Sequence, residues 1–144
     1  MRCLFLFIFL FCLALPAAPR AAGQNIEIDS AYSNVHGNAV WPYGTPTLSP
    51  VDNTVTIKTG GDVLNVYGAS CALGEEVTRN TAIVNDGKVG GIVHGGWADE
   101  GVAIGNSAFI KGGSVAGSVI GGFVKGNLSV SSARTTVCIS AAAE

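Results

Sequence analysis

The sequence has few charged residues, few prolines and no excess of basic side chains. Charged residues make up 12% of the 144 residues, and the formal net charge is −2. Because a nucleic-acid surface requires a basic patch, this balance predicts no nucleic-acid partner. Five prolines are too few for a proline-rich linker protein, and the 20 glycines do not recur at every third residue, which excludes collagen. With 48% apolar residues the composition also excludes a disordered chain.

The first 23 residues have the pattern of a secretory signal peptide. Arg2 precedes an apolar run from Cys3 to Leu15, which is too short to cross about 30 Å of hydrocarbon. Small residues follow the run, and a cut after Gly23 fits the small-residue rule for cleavage. The alternative is an uncleaved membrane anchor. We therefore predict an exported protein, which would be periplasmic, secreted or displayed at the cell surface.

A repeat of 26 to 29 residues runs through the rest of the chain. Similar segments begin at Asn53, Asn80 and Asn106, and a further copy begins at Thr135. Each copy contains apolar residues with a period of two, which is typical of a β-strand, and glycines separate the strands. Because one coil cannot bury its inward face but stacked coils can, three short strands per copy predict a parallel β-solenoid.

The predicted fold is all-β, a parallel β-helix of about three to four coils over residues 53–144, after a signal peptide at 1–23. Residues 24–52 are predicted to form an irregular N-terminal cap or a degenerate repeat, because three prolines interrupt residues 39–52. A third, weaker apolar patch closes each unit, and we expect Val77, then Val102 and Ile104, then Leu128 and Val130 to contribute to it. The residues predicted to form the inward ladders of the first strand are Val55, Ile57, Ala82, Val84, Ala108, Ile110, Val137 and Ile139.

Two sets of side chains recur at equivalent positions of the repeat. Asn53, Asn80 and Asn106 begin successive copies, so their amides are placed to stack as a ladder at one corner. The alternative is that these asparagines only favour a turn. Trp97 and Phe123 each follow a Gly-Gly pair, which predicts an aromatic stack. This stack either packs a corner or forms a platform for a carbohydrate.

Titratable residues do not form a pattern that predicts catalysis, a metal site or a cofactor site. His94 aligns with Tyr67 and Ile120 on the outward face of the second strand, which indicates an unconstrained exterior position. The acidic pairs 75–76 and 99–100 are interpreted as solvated turns. We therefore predict a non-enzymatic protein without a cofactor or metal.

Two cysteines remain after the signal peptide, and the repeat places them far apart. Cys71 belongs to the copy that begins at Asn53, whereas Cys138 belongs to the copy that begins at Thr135. Three coils of about 4.8 Å separate them by roughly 14 Å along the axis, while a disulfide requires Cα atoms within about 7 Å. We predict that they do not form a disulfide with each other.

Glycines four residues apart favour a second interpretation, a close-packed membrane helix. They occur at Gly113, Gly117 and Gly121, within an apolar run at 112–124. The run is too short to span a bilayer, and β-branched residues with many glycines form poor helices. We predict no stable membrane span in the mature chain, and a membrane-active glycine-zipper peptide is the alternative.

A further signal comes from short segments of the repeat. They are NTVTIKTGG from Asn53 and the tetrapeptides VYGA, VHGG and VIGG at 66–69, 93–96 and 119–122. They resemble the glycine-rich repeats in the passenger domains of bacterial autotransporter adhesins, and the resemblance covers about residues 53–140. It implies a β-helix displayed on the outer membrane of a Gram-negative bacterium. Its implied role is adhesion to host or cell-surface glycans or proteins, or self-association.

Autotransporters also carry a C-terminal translocator barrel, for which the chain leaves no room. We therefore expect a truncated passenger, a gene fragment, or a periplasmic or secreted protein, with the role of a non-enzymatic adhesin-like solenoid. The alternative function is a carbohydrate-binding or carbohydrate-active β-helix.

Overall fold

The computed structural model describes residues 23–40, 44–72, 74–126 and 136–139, so residues 1–22 of the predicted signal peptide lie outside it. All regular elements in the described residues are β-strands, and they stack in parallel into a solenoid of about four turns. The all-β, parallel solenoid predicted from the repeat is therefore confirmed. The strands, in chain order, are β1 (Asn25–Ile28), β2 (Ala31–His36), β3 (Thr54–Ile57), β4 (Asp62–Tyr67), β5 (Ser70–Cys71), β6 (Glu76–Thr78), β7 (Thr81–Val84), β8 (Lys88–Val89), β9 (Val93–Ala98), β10 (Val102–Ile104), β11 (Ser107–Ile110), β12 (Ser114–Val115), β13 (Val119–Val124) and β14 (Thr136–Ile139).

The first sheet takes one strand from each coil, in the order β1, β3, β7, β11 and β14. All of its pairings are parallel, and equivalent residues of successive copies lie side by side, as in the row Val55, Ala82 and Ala108. Their side chains are fully buried, and Ile110 packs against the same core while remaining partly exposed. The side chains of β14 lie outside the described set. The period-two pattern thus identified the core face of this sheet.

The second sheet contains one irregularity that the sequence also shows. Strand β4 pairs with both β8 and β9, because the coil from Asn80 has three residues between Val89 and Val93, whereas the coil from Asn53 has two between Val63 and Val66. The extra residue is accommodated as a local bulge, where the Ile92 amide donates to Asn65 Oδ1 at 2.9 Å. Residues 112–124, the candidate membrane helix, instead form β12, β13 and their flanks.

Residues 25–36 form a regular first coil, because β1 pairs with β3 and β2 pairs with β4 in parallel register. Of the two interpretations of residues 24–52, the degenerate repeat describes this part. The irregular portion begins after Gly37 and returns to the solenoid through a bridge between Val51 and Thr78.

The third side of the solenoid contains the expected third apolar patch. Strands β6 and β10 pair so that Val77 lies opposite Ala103, and both side chains are buried. Val102 and Ile104, which belong to the expected apolar patch, flank Ala103 and remain partly exposed, whereas Leu128 and Val130 lie outside the described residues. Because neighbouring side chains of a strand point to opposite faces, only the central residue faces the core.

The registers also locate the two cysteines. Cys71 lies opposite Ala98, whereas the backbone of Cys138 lies opposite Phe109, in a different sheet. They are therefore three coils apart, in agreement with the separation assumed from the repeat. The absence of a disulfide between them stays a prediction.

The described residues contain no helix with the length and apolar character required to traverse a bilayer.

Candidate binding groove

A column of glycines allows neighbouring coils to approach closely at one turn. Gly37, Gly68, Gly95 and Gly121 occupy equivalent positions in the registers of the second sheet. A Cβ at Gly68 would lie 2.3 Å from the Gly95 carbonyl oxygen, and a Cβ at Gly95 would lie 2.4 Å from that of Gly121. No side chain fits at these distances, so the turn requires glycine.

Strand β9 changes direction at this turn. In a straight strand, residues three apart point to opposite faces. His94 and Trp97 are three apart, yet their rings stack with centroids 5.1 Å apart and an interplanar angle of 15°. The backbone therefore turns at Gly95 and Gly96, which brings both rings to the same outer side.

The outer side of the turn carries five ring-bearing residues, which we call the aromatic column: His36, Tyr67, His94, Trp97 and Phe123. Trp97 and Phe123, the pair predicted from the sequence, stack with centroids 4.5 Å apart. His36 stacks on Tyr67 at 4.7 Å, and Tyr67 meets Trp97 edge-on at 6.0 Å. The sequence analysis did not predict that His36, Tyr67 and His94 extend the pair. The signal available in the sequence was a recurring Val-x-Gly triplet, in which x is His36, Tyr67 and His94 in successive copies.

His94 is not the unconstrained exterior residue that we expected. Its side chain points outward, but the rings of Trp97 and Phe123 cover it, and the residue is only 2% exposed. Its Nδ1 atom has no hydrogen-bond partner among the described residues. Burial lowers the pKa of His94 to about 4, so the ring is neutral at physiological pH.

His36 is also neutral, because burial lowers its pKa to about 4. A hydrogen bond of 2.7 Å joins its Nδ1 to Ser70 Oγ. Asn38 holds the Ser70 backbone from both directions: the Ser70 amide donates to Asn38 Oδ1, and Asn38 Nδ2 donates to the Ser70 carbonyl. The His36 imidazole and the Asn38 side-chain amide together hold Ser70 at this edge of the aromatic column.

We expect the protein to become less stable as the pH falls from about 6.5 to 4. In this window the unfolded chain binds more protons than the folded chain, because His36 and His94 have lowered folded-state pKa values. The free energy of unfolding should fall by about 1–2 kcal/mol for each histidine, after allowance for the solvent that reaches the ring. Urea unfolding at pH 7.5 and at pH 5 measures the difference.

His94→Phe is the matched variant, because it keeps an aromatic ring against Trp97 and removes the titrating group. Its loss of stability between the two pH values should be smaller than that of the wild type. An equal loss in both proteins would contradict the assignment of this pH dependence to His94.

A groove with a volume of about 880 Å³ opens beside the aromatic column. This volume falls within the usual range of small-molecule sites, roughly 300–1,000 Å³. One wall is formed by His36, Tyr67 and Trp97 of the aromatic column, a second by the irregular segment 45–50, and a third by acidic residues. The lining residues that matter most for its chemistry are His36, Tyr67, Trp97, Glu75, Glu76 and Asp99.

Each carboxylate of the groove is positioned by a neighbouring side chain. The contacts are Cys71 Sγ to Glu75 Oε2 at 3.5 Å, Thr78 Oγ1 to Glu76 Oε1 at 2.8 Å, and Trp97 Nε1 to Asp99 Oδ1 at 2.9 Å. Burial, reinforced by the negative charge of Asp99, raises the pKa of Tyr67. We expected these acids to lie in solvated turns. Their approach to one groove was missed because it depends on coil stacking.

The pair of Ser70 and His36 resembles the nucleophile and base of a hydrolase, but its surroundings favour a structural role. Ser70 is only 7% exposed, which restricts access to its hydroxyl. A histidine with a pKa of about 4 is a weak base at neutral pH. Among the described residues, no carboxylate is hydrogen-bonded to His36 to orient it as a base.

The three asparagines lie at a different corner, before the first sheet, and form a continuous ladder. Asn80 Oδ1 accepts hydrogen bonds from both the backbone amide and Nδ2 of Asn53, each at 2.9 Å. Asn106 Oδ1 accepts the equivalent pair from Asn80 at 2.9 and 3.0 Å. All three side chains are buried, so the ladder is part of the scaffold and does not itself line the groove. Asn53 and Asn80 nevertheless donate to the carbonyls of Ser49 and Pro50, which belong to the groove wall.

No protein-family model, curated protein or solved structure matches the chain. The resemblance to autotransporter passengers therefore rests on the repeat residues alone, and the function is argued from the groove.

Proposed function

We propose that the protein is an exported, non-enzymatic β-solenoid with an adhesin-like role, and that the groove is its recognition surface. The observation that carries the proposal is the aromatic wall of a groove on a rigid stack of parallel strands. Aromatic side chains provide large contact areas with little loss of conformational freedom. The apolar leader and the likeness of the repeats to adhesin passengers support export and adhesion.

The scaffold supports recognition because it holds the groove in one geometry. The Asn ladder and the inward valine and alanine rows fix neighbouring coils to one another. The donors of Cys71, Thr78 and Trp97 hold the carboxylates of the groove. A preorganised surface loses less entropy on binding, which favours affinity.

Bead adhesion tests this proposal. Beads coated with the wild-type protein should bind cultured epithelial cells, or one another, more than uncoated beads do. Thr47→Arg places a long side chain on an exposed residue of the groove wall and should lower adhesion about fivefold. Thr59→Arg is the matched control, since Thr59 is exposed but does not line the groove.

Two results would contradict the proposal. Wild-type beads that bind neither cells nor one another would contradict the adhesive role. Equal adhesion by Thr47→Arg and the wild type would show that the groove is not the recognition surface.

The acidic residues of the groove also favour a second candidate, a carbohydrate-active β-helix. Glycoside hydrolysis generally uses two carboxyl groups on either side of the scissile bond. Glu76 and Asp99 come from successive coils and line the same groove. Release of new reducing ends from oligosaccharides by the wild type, and its loss in Glu76→Gln, would favour this candidate over a binding role.

A further inference from the structure

The groove has a one-sided charge. Its described lining includes three carboxylates, those of Glu75, Glu76 and Asp99, and no lysine or arginine. Lys125 Nζ approaches Asp99 Oδ1 only to 4.0 Å and does not line the groove. A ligand with carboxylate, sulfate or phosphate groups would be repelled, whereas a ligand with ammonium groups would be attracted.

The carboxylates retain acceptor capacity for a ligand. A carboxylate offers about four lone-pair positions, and in the described part of the chain each of these three accepts one side-chain hydrogen bond, from Cys71, Thr78 or Trp97. Glu75 and Glu76 are exposed, so a ligand in the groove can reach them. Ammonium and hydroxyl groups both donate to such oxygens, and hydrogen bonds from an ammonium are the stronger.

The other two walls fit a compact ligand that has both an apolar face and many hydroxyl groups. Tyr67 and Trp97 provide apolar surface with a polar tip. Thr45, Thr47 and Ser49 on the opposite wall are exposed hydroxyl-bearing residues, which both donate and accept hydrogen bonds. A pyranose ring presents the same combination of C–H faces and hydroxyl edges.

The backbone edges of the groove are already occupied, which disfavours an extended peptide. Asn38 binds both the amide and the carbonyl of Ser70, so this residue of β5 has no open edge. Thr78 in β6 is paired in the same way, with its amide bonded to the Pro50 carbonyl and its carbonyl to the Asp52 amide. A peptide could not add as a strand at either position.

We infer that the groove binds an oligosaccharide that carries free amino groups, of the glucosamine type. This inference rests on the proposed recognition role of the groove and names its ligand class. The sugar ammonium groups meet Glu75, Glu76 and Asp99, while a ring face lies against Tyr67 and Trp97.

Isothermal titration of the purified chain with three tetrasaccharides tests the inference, in a slightly acidic buffer that keeps the sugar amines charged. The glucosamine tetramer should bind about tenfold more tightly than the N-acetylglucosamine tetramer, because N-acetylation removes the positive charge. The galacturonate tetramer should show no binding. Added salt should weaken the binding of the glucosamine tetramer, since the carboxylates are partly exposed.

The double variant Glu75→Gln/Glu76→Gln removes two charges and keeps the side-chain shape. Its affinity for the glucosamine tetramer should fall about fivefold or more. Asp29→Asn/Asp62→Asn is the matched control, since it removes two exposed carboxylates outside the groove and should leave the affinity unchanged. Melting temperatures close to that of the wild type show that both variants fold.

Three results of the binding measurements would overturn the inference, besides a complete lack of saccharide binding. They are equal binding of the galacturonate tetramer, unchanged affinity in Glu75→Gln/Glu76→Gln, and binding of tetralysine as tight as that of the glucosamine tetramer. The last would identify a basic peptide as the partner. If no saccharide binds while Thr47→Arg still lowers bead adhesion, the ligand class is wrong and the adhesive role stands. If the glucosamine tetramer binds but wild-type beads do not adhere, the ligand class stands and the adhesive role is wrong.

Discussion

Gly95→Ala is expected to prevent the solenoid from folding, or to lower its free energy of unfolding by at least about 4 kcal/mol. The added Cβ would lie 2.4 Å from the carbonyl oxygens of Gly121 and Ser107, and 2.5 Å from the Ser107 amide nitrogen. These are backbone atoms of the next coil, which cannot move without separation of the parallel strands. Because Gly95 does not have a positive φ, the cost comes from space and not from backbone conformation.

Gly90→Ala is the matched control in the same coil. Its Cβ would meet Leu64 Cδ1 at 3.8 Å and the Val63 oxygen at 3.9 Å, which are ordinary contacts. We expect no loss of stability, and a gain of up to about 1 kcal/mol from reduced freedom of the unfolded chain. Urea unfolding followed by circular dichroism measures both variants. Equal stability of Gly95→Ala and Gly90→Ala would contradict the close approach of the coils at this turn.

This pair of glycines shows which part of the fold can be predicted from the sequence. The period of two identified the inward residues, and the repeat length identified the stacking, because both are properties of one chain segment compared with the next. Gly90 and Gly95 each begin a Gly-Gly pair and look alike in the sequence. Their different tolerance depends on the distance to the next coil, which only the stacked structure defines.

The groove was harder to predict for the same reason. Its walls come from several coils and from the irregular segment 45–50, so residues distant in sequence become neighbours. Glu75 and Asp99 each look like part of a solvated turn when read alone. His94 was correctly placed on the outward side of its strand, but the turn at Gly95 and Gly96 carries Trp97 over it. Burial by a neighbour across a turn leaves no periodic signal.

The Asn ladder, by contrast, follows from spacing, and its contribution to stability is the second large effect that we expect. Asn80 is fully buried, and its side chain makes four hydrogen bonds. It accepts from the Asn53 amide and Asn53 Nδ2, and it donates to the Pro50 carbonyl at 2.8 Å and to Asn106 Oδ1 at 3.0 Å. Asn80→Ala should lower the free energy of unfolding by about 4 kcal/mol, at roughly 1 kcal/mol for each lost bond.

The largest loss of stability in Asn80→Ala comes from the Asn53 backbone amide. Asn53 Nδ2 keeps its bond to the Ser49 carbonyl, and the Pro50 carbonyl keeps the Thr78 amide as donor. Within the described part of the chain, Asn80 Oδ1 is the only side-chain acceptor of the Asn53 backbone amide, so the variant leaves a buried donor without a partner. Hydrogen exchange should report this directly, since the protection of that amide should fall more than the protection of amides in the first sheet.

Two further variants separate the ladder from a simple turn preference. Asn80→Asp keeps the shape but replaces the donating Nδ2 with an oxygen that faces the Pro50 carbonyl and Asn106 Oδ1, so it should destabilise the protein about as strongly as Asn80→Ala. Asn34→Ala removes one exposed hydrogen bond to Asn65 and should cost less than about 1 kcal/mol. If all three variants lose equally little stability, the asparagines favour a turn and do not hold the coils together. A large loss of stability in both Asn80 variants shows that the asparagine side chain of each coil holds the neighbouring coil by hydrogen bonds.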